Sequence, residues 1–132
     1  MKHLLIILSL LLLSSPVIGN SHKGETLYLW KNPSGDGYIW KGFGDKETHP
    51  VYKGDVKNGK PDGLGIIIYP TGTKYVGSWK NGEYFIGTQT FDDEYVGGGK
   101  YVGEYRNKEV WKGIFYDEDG NIEYKVVNGV EQ

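Results

Sequence analysis

The stretch Tyr75-Val-Gly-Ser-Trp-Lys-Asn-Gly82 decides the fold of this chain. It reads as an aromatic residue, any residue, Gly, any residue and a second aromatic residue, followed by Lys-Asn-Gly. The same phrase occurs upstream as Tyr52-Lys-Gly-Asp-Val-Lys-Asn-Gly59 and downstream as Tyr101-Val-Gly-Glu-Tyr-Arg-Asn-Lys108, and a degenerate copy begins at Tyr124. The leading tyrosines are 23, 26 and 23 residues apart. A fixed period of this length indicates an array of structural repeats.

Each repeat has the pattern of a β-hairpin. Alternation in the first strand places Tyr75, Gly77 and Trp79 on one face of a sheet. Asn-Gly dipeptides follow this strand and predict type I′ turns, in which both central residues have positive φ; they occur at residues 58–59, 81–82 and 128–129. The returning strands are predicted from short runs of β-branched and aromatic residues, at 65–69, 87–91 and 113–116.

These patterns predict an all-β protein, a single elongated antiparallel meander of β-hairpins after an N-terminal signal peptide. The segment ahead of the array has two strand-like runs around a turn cluster at residues 32–37, so we expect a hairpin that caps the first repeat. The predicted organisation is a signal peptide (1–19), an N-terminal capping hairpin (20–51), a repeat array (52–127) with units 52–74, 75–100, 101–123 and a partial last unit, and a C-terminal tail (128–132).

Residues 52–74, with the Tyr69-Pro-Thr-Gly link at their end, resemble one complete MORN (membrane occupation and recognition nexus) repeat. The units at 75–100 and 101–123 resemble it in part, and the aromatic- and Gly-rich wall-binding repeats of surface proteins are a rival resemblance by composition. The chain is thus similar to MORN repeat proteins, and we interpret it as a small exported bacterial type from the features described next. The resemblance implies a role in scaffolding, protein contacts or contacts with membrane lipids. It also implies structural roles for the repeat glycines, which are Gly54, Gly63, Gly65, Gly77, Gly82 and Gly103.

Residues 1–19 have the pattern of an export signal: a basic start, an apolar run and a small residue, Gly19, at the expected cleavage site. An uncleaved anchor is the alternative, although the apolar run is shorter than the roughly 20 residues that span a bilayer. The chain has no cysteine, which excludes disulfides, thiol catalysis and lipoprotein attachment through cysteine. We therefore expect a periplasmic or extracellular protein of a bacterial envelope, with membrane association left open.

Charge is distributed unevenly along the array. Residues 52–91 hold five basic and three acidic side chains, whereas residues 92–132 hold five basic and ten acidic ones. A nucleic-acid partner would require a basic stripe, and the sequence has none. We expect most of these charges to be ordinary solvated surface.

The sequence gives no indication of an enzyme or of a cofactor. His22 and His49 are the histidines outside the signal segment, and Ser78 lies in a strand pattern rather than at a nucleophile elbow. The acidic run at 117–121 resembles the opening of a calcium loop but lacks the later ligands, so turn chemistry explains it and no metal site is predicted. The tip at 92–94 is interpreted as a solvated loop.

The many aromatic residues have two interpretations. Alternation is satisfied if the rings pack over the sheet in place of a core. Alternatively, a ribbed aromatic face centred on Tyr75, Trp79, Tyr101 and Tyr105 binds a peptide, a glycan or a lipid headgroup. We expect a non-enzymatic protein-interaction scaffold, with a glycan, cell-wall or membrane-lipid binding module as the alternative. Self-association through the sheet edges is a further expectation, because unpaired strands invite pairing with another chain.

Overall fold

The computed structural model describes residues 24–92 and 98–132, in which all regular secondary structure is β-strand. A helix that could span a lipid bilayer is not found among these residues. The predicted signal peptide lies outside the described residues, as do residues 93–97, which include two of the three residues of the predicted loop tip at 92–94. The strands are β1 (Glu25–Lys31), β2 (Tyr38–Lys41), β3 (Val51–Lys57), β4 (Lys60–Ile68), β5 (Lys74–Lys80), β6 (Glu83–Thr90), β7 (Lys100–Arg106), β8 (Glu109–Tyr116), β9 (Ile122–Val127) and β10 (Val130–Glu131).

One antiparallel sheet contains all ten strands, in the order β10-β9-β8-β7-β6-β5-β4-β3-β1-β2. From β3 to β10 each strand pairs with the next one along the chain, which confirms the predicted all-β meander of hairpins. The returning strands are longer than the sequence indicated. They start directly after each two-residue turn, at Lys60, Glu83 and Glu109, because the type I′ turn lets pairing resume at once.

The N-terminal hairpin departs from the meander. Its first strand, β1, pairs with β3 through Leu27 opposite Tyr52, and β2 lies outside it at the edge of the sheet. Residues 42–50 must therefore cross back along one face to reach β3. This crossover packs on β1: the ring of His49 stacks on Trp30 with centroids 4.0 Å apart, and Trp30 Nε1–H donates to the Phe43 carbonyl at 2.7 Å.

The hairpin turns adopt the conformation that the Asn-Gly dipeptides predict. Asn58, Asn81 and Asn128 have φ between 50° and 53°, and the glycine after each also has positive φ. The turn of the third repeat has the same shape but uses Asn107 and Lys108, with φ of 50° and 67°. A side chain in the left-handed region costs about 1–2 kcal/mol, so this turn is strained at Lys108.

The two faces of the sheet differ in the side chains that they carry. Directly paired residues share a face, and one row across the central strands forms the aromatic face: Tyr52, Ile67, Tyr75, Gln89, Tyr101 and Phe115. A row on the opposite side forms the aliphatic face: Lys53, Ile66, Val76, Thr88, Val102 and Ile114.

The sheet curls toward its aromatic face. Trp40 of β2 packs edge-to-face on Trp79 of β5 with ring centroids 6.1 Å apart, although β1, β3 and β4 lie between those strands. Adjacent strands are about 4.8 Å apart, so a flat sheet could not bring these rings together. The aromatic face, covered at one end by the N-terminal hairpin, thus takes the place of a core between two layers.

Candidate functional site

Each repeat places a tyrosine flat on two glycines. Gly54, Gly77 and Gly103 pair directly with Gly65, Gly87 and Gly113 on the returning strands, so six glycines form a row on the aromatic face. The leading tyrosine of each repeat lies along its own strand over one such pair, where added Cβ atoms would meet its ring or hydroxyl. The tyrosine of the same strand thus fills the space above each glycine pair.

The hydroxyl of each leading tyrosine is held by a main-chain carbonyl three residues later. Tyr52 donates to Asp55 O at 2.6 Å, Tyr75 to Ser78 O at 2.8 Å and Tyr101 to Glu104 O at 2.8 Å. Burial raises the pKa of the Tyr101 phenol to about 12 and also raises the pKa of the Tyr52 and Tyr75 phenols. These groups are therefore neutral donors at physiological pH.

The other two predicted repeat glycines have local roles. Gly63 has a φ of 110°, and a Cβ atom there would stand 2.6 Å from Asp55 Oδ2. That carboxylate accepts the Leu64 main-chain N–H at 3.0 Å at the bulge of the first repeat. Gly82 lies in the β5–β6 turn, where a Cβ atom would be 3.2 Å from Trp40 Nε1. The turn thus lies next to the N-terminal hairpin, with no room for a larger residue at Gly82 unless Trp40 shifts.

The four residues proposed as the centre of a binding face are buried. Tyr75 and Tyr101 are 0% exposed, Trp79 is 3% exposed and Tyr105 is 5% exposed. The structure brings them together in one cluster, but as the core. An exposed binding face built from these four side chains is therefore corrected in favour of the alternative interpretation. Neighbouring rings of the repeats cover them, and Trp40 of the N-terminal hairpin also packs on Trp79.

Tyr84 connects this core to the surface. Its ring stacks on Tyr75 with centroids 3.9 Å apart and packs edge-to-face on Trp79 and Tyr105. Its hydroxyl lies 2.6 Å from that of Tyr69, and burial raises the pKa of both phenols. The two hydroxyls thus form a hydrogen-bonded polar pair among the aromatic rings.

A cleft of about 380 Å³ opens beside this pair. It lies between the N-terminal hairpin and the strands β4 to β6, and the turn between β7 and β8 reaches its rim. Two aliphatic side chains, Leu29 and Ile67, contribute to its walls. Its other apolar walls are the rings of Tyr38, Trp40, Tyr69, Trp79 and Tyr84.

The rim of the cleft is polar. Lys60, Asn81, Glu83 and Lys108 lie around it. Lys108 Nζ is 3.9 Å from Glu83 Oε1, and both side chains are largely exposed, so this ion pair contributes little to stability. An apolar interior with a few polar groups at the rim is the usual form of a ligand site.

The sequence did not single out this cleft. Tyr38 and Trp40 come from the N-terminal hairpin, whereas Tyr69 and Tyr84 come from the repeats, so no spacing relates them. Their aromatic character was the available signal. Tyr38 is 67% exposed, which distinguishes it from the buried tyrosines and which alternation could not have indicated.

The acidic run at 117–121 forms a closed turn. Asp117 Oδ1 accepts the main-chain N–H groups of Asp119 and Asn121 at 3.0 and 2.8 Å, and these hydrogen bonds, chiefly that from Asn121, lower the Asp117 pKa. Within residues 24–92 and 98–132, no group of three or more His, Cys, Asp or Glu side chains could hold a metal ion. The turn chemistry inferred from the sequence accounts for Asp117.

Comparison with known families gives one match. The MORN repeat model matches residues 52–74 and 75–84, which form β3 to β5 and the start of β6. No curated protein matches the chain. Tyr52, Tyr75 and Tyr101, which lie over the glycine row, form a tyrosine ladder. The match includes the first two of these tyrosines and several residues of the cleft. The hairpin of β7 and β8 repeats the same tyrosine-on-glycine arrangement beyond the matched residues.

Proposed function

We propose that the chain is an exported, non-enzymatic scaffold module that binds another protein in the cleft between its N-terminal hairpin and its MORN-type repeats. The observation that carries this proposal is the cleft itself, with five aromatic walls and a lysine-containing rim. Tyrosine and tryptophan are enriched where proteins meet, because each has an apolar body and a polar tip.

Three further features support the proposal. MORN repeats are generally modules for contacts with proteins or membranes. The hydrophobic start of the sequence has the pattern of an export signal, which favours the periplasm or the cell exterior. The walls of the cleft bear aromatic rings, and its rim bears Lys60, Asn81, Glu83 and Lys108, which form no nucleophile–base pair.

The test uses photo-cross-linking in cells that express the full chain, with a tag at its C terminus. The cleft variant is Tyr38→Ala with Lys60→Glu, since both side chains are exposed at the cleft. The matched control is Ile68→Ala with Lys46→Glu, which changes one exposed apolar and one exposed lysine residue elsewhere.

The proposal predicts one dominant cross-linked protein for the unmodified chain and the control, and its loss in a folded cleft variant. Equal cross-linking by both variants would contradict it. Recovery of wall polymer in place of a protein would favour the glycan-binding alternative, for which the exposed Tyr38 ring offers a stacking surface.

The aliphatic face supports a second candidate, contact with an anionic membrane surface. Five exposed lysines lie on this face beside its exposed isoleucines Ile66 and Ile68. Asp55 and Glu104 accompany them, and both are engaged in contacts within the chain. The exposed Glu123 lies two residues from Lys125 on β9, so the lysines outnumber the carboxylates beside them. Charges counted along sequence segments do not reveal this excess of lysines, because neighbouring residues of a strand lie on opposite faces of the sheet. The lysines are Lys53, Lys74, Lys100, Lys112 and Lys125.

Vesicle co-sedimentation tests this candidate. Each lysine near an anionic surface contributes about 1 kcal/mol. We therefore expect binding to phosphatidylglycerol vesicles that salt weakens and that Lys74→Glu with Lys100→Glu abolishes. Equal binding to neutral phosphatidylcholine vesicles would argue against it.

A further inference from the structure

The strand β2 ends the sheet beside the cleft. Among the described residues β2 has one neighbour, β1, and its other edge is unpaired. Gly37, Tyr38 and Trp40, which form the start of this strand and the residue before it, line the cleft. An unpaired edge and an apolar cleft thus occur at the same place.

The direction of the free backbone groups follows from two hydrogen bonds. Asn32 N–H donates to Gly37 O at 3.0 Å, so these two residues form a hydrogen-bonded pair between the two chain segments. Hydrogen-bonded and non-hydrogen-bonded pairs alternate in an antiparallel ladder, so the next hydrogen-bonded pair is Trp30 with Ile39. Leu29 N–H instead donates to Pro50 O at 3.0 Å, on the other side of β1. The register pairs Leu29 with Trp40, so the two residues do not exchange hydrogen bonds.

The N–H and C=O groups of Tyr38 and Trp40 therefore point away from β1, toward the unpaired edge. Their side chains lie on the same face as Leu29, which is the aromatic face. An extended segment that paired with this edge would place alternate side chains on that face, beside Tyr38 and Trp40.

The rim of the cleft indicates the charge of such a segment. Lys60 and Lys108 face one carboxylate, that of Glu83, across the rim. The Asp62 carboxylate nearby accepts the Asn81 main-chain N–H at 3.1 Å and is thus already engaged. A carboxylate on the incoming segment would meet lysine ammonium groups, whereas a cation would meet like charge.

We infer that the partner of this module inserts an extended, acidic peptide segment that pairs with β2 as an additional strand. This inference rests on the proposed protein-binding function and names how the partner is held. Main-chain hydrogen bonds to Tyr38 and Trp40 supply affinity, and the cleft selects apolar residues at alternate positions followed by a carboxylate.

The probe is the blocked peptide Thr-Val-Thr-Val-Thr-Asp, added at millimolar concentration to the full chain. Its valines would lie opposite Tyr38 and Trp40. We expect hydrogen exchange to slow at the Tyr38 and Trp40 amides and to stay unchanged at Ile39 and Lys41, which already face β1. Replacing the peptide's Asp with Lys should abolish the effect. N-methylation of the valines should abolish it as well, whereas N-methylation of the central threonine should not.

A variant of the protein provides an independent measurement. Tyr38→Pro removes one outward N–H at the first residue of an edge strand, where proline is tolerated. Tyr38→Ala removes the same ring and retains the N–H. If both variants fold, as circular dichroism will show, we expect the peptide to bind about tenfold more weakly to Tyr38→Pro than to Tyr38→Ala.

Equal affinities for the two variants, uniform protection of all four amides or no binding of the peptide would each overturn the inference. These outcomes leave the proposed function separately testable. A cellular partner that is lost in the cleft variant but retained equally by Tyr38→Pro and Tyr38→Ala would keep the scaffold proposal and remove strand addition.

Discussion

The ring of Tyr75 lies on the backbone of Gly87 in the neighbouring strand, so that a Cβ atom at Gly87 would stand 2.8 Å from Tyr75 Cζ. The same added atom would also be 2.8 Å from the Cα of Gly77, which is paired with Gly87. The contact leaves no room for a side chain, and it explains why glycine occupies strand positions where its entropy would otherwise disfavour it.

Replacing Gly87 with alanine should therefore destabilise the sheet. We expect a loss of about 1–3 kcal/mol in the free energy of unfolding, because the Tyr75 ring or the β5–β6 pairing must shift. Urea unfolding followed by tryptophan fluorescence measures the change. The control is Gly42→Ala, where an added Cβ atom meets nothing within 4 Å. Equal stability of the two variants would contradict the packing role of the glycine row.

Replacing Lys108 with glycine should stabilise the chain. Lys108 has a φ of 67° in a turn whose counterparts in the other repeats carry glycine. Relief of the left-handed strain, offset by the greater freedom of glycine in the unfolded state, should leave a gain of about 0.5–1 kcal/mol. Lys108→Ala removes the same weak ion pair with Glu83 and retains the strain, so thermal unfolding of both variants isolates the backbone effect. A gain for alanine equal to that for glycine would assign the effect to charge instead.

Ser78 stabilises the bulge between β5 and β6. Its hydroxyl accepts the Ile86 N–H at 3.0 Å and donates to the Ile86 carbonyl at 3.1 Å, in the place where Asp55 accepts the Leu64 N–H in the first repeat. We expect Ser78→Ala to cost about 1–3 kcal/mol, since it leaves a partly buried main-chain group without its partner. Ser78→Thr preserves the hydroxyl and should remain close to the unmodified chain in chemical denaturation. If threonine is as costly as alanine, then shape and not hydrogen bonding governs this position.

The tyrosine ladder makes stability sensitive to alkaline pH. Burial raises the pKa of the Tyr101 phenol to about 12 in the folded state, above the ordinary value of 10.0 that applies to the unfolded chain. The unfolded state therefore loses protons first. The contribution of such a group is complete below pH 10, and it is lost as the pH rises from 10 through 12. Burial raises the pKa of Tyr52, Tyr75 and Tyr105 in the same direction.

We therefore expect the free energy of unfolding to fall above about pH 10, and the phenolate absorbance of the buried tyrosines to rise together with unfolding. Tyr101→Phe, which removes one of the titrating groups, should show a shallower fall. Denaturant titrations across this pH range provide the measurement. Phenolate absorbance that rises fully while the circular dichroism signal is unchanged would show that the ladder tyrosines are accessible.

The repeat phrase was sufficient to predict hairpins, their turns and the face that holds the rings, because Asn-Gly dipeptides and two-residue alternation are local signals. It could not indicate that the face would be covered. That depends on β1 pairing with β3 and on Trp40 reaching Trp79, and no local pattern in residues 42–50 specifies the crossover. The covering of Trp79 by Trp40 and the cleft beside Tyr38 both follow from this long-range arrangement, so local sequence patterns do not predict them.

The position of β1 between β2 and β3 gives the array a direction of growth. Both edges of β1 are occupied, so a repeat unit fused ahead of it could pair only with β2, at the edge beside the cleft. A unit that follows β10, or that is duplicated within the array, adds two antiparallel strands and preserves the pairing on either side. Gene duplication or protein engineering could therefore lengthen this molecule toward its C terminus without disturbing the end that holds the cleft.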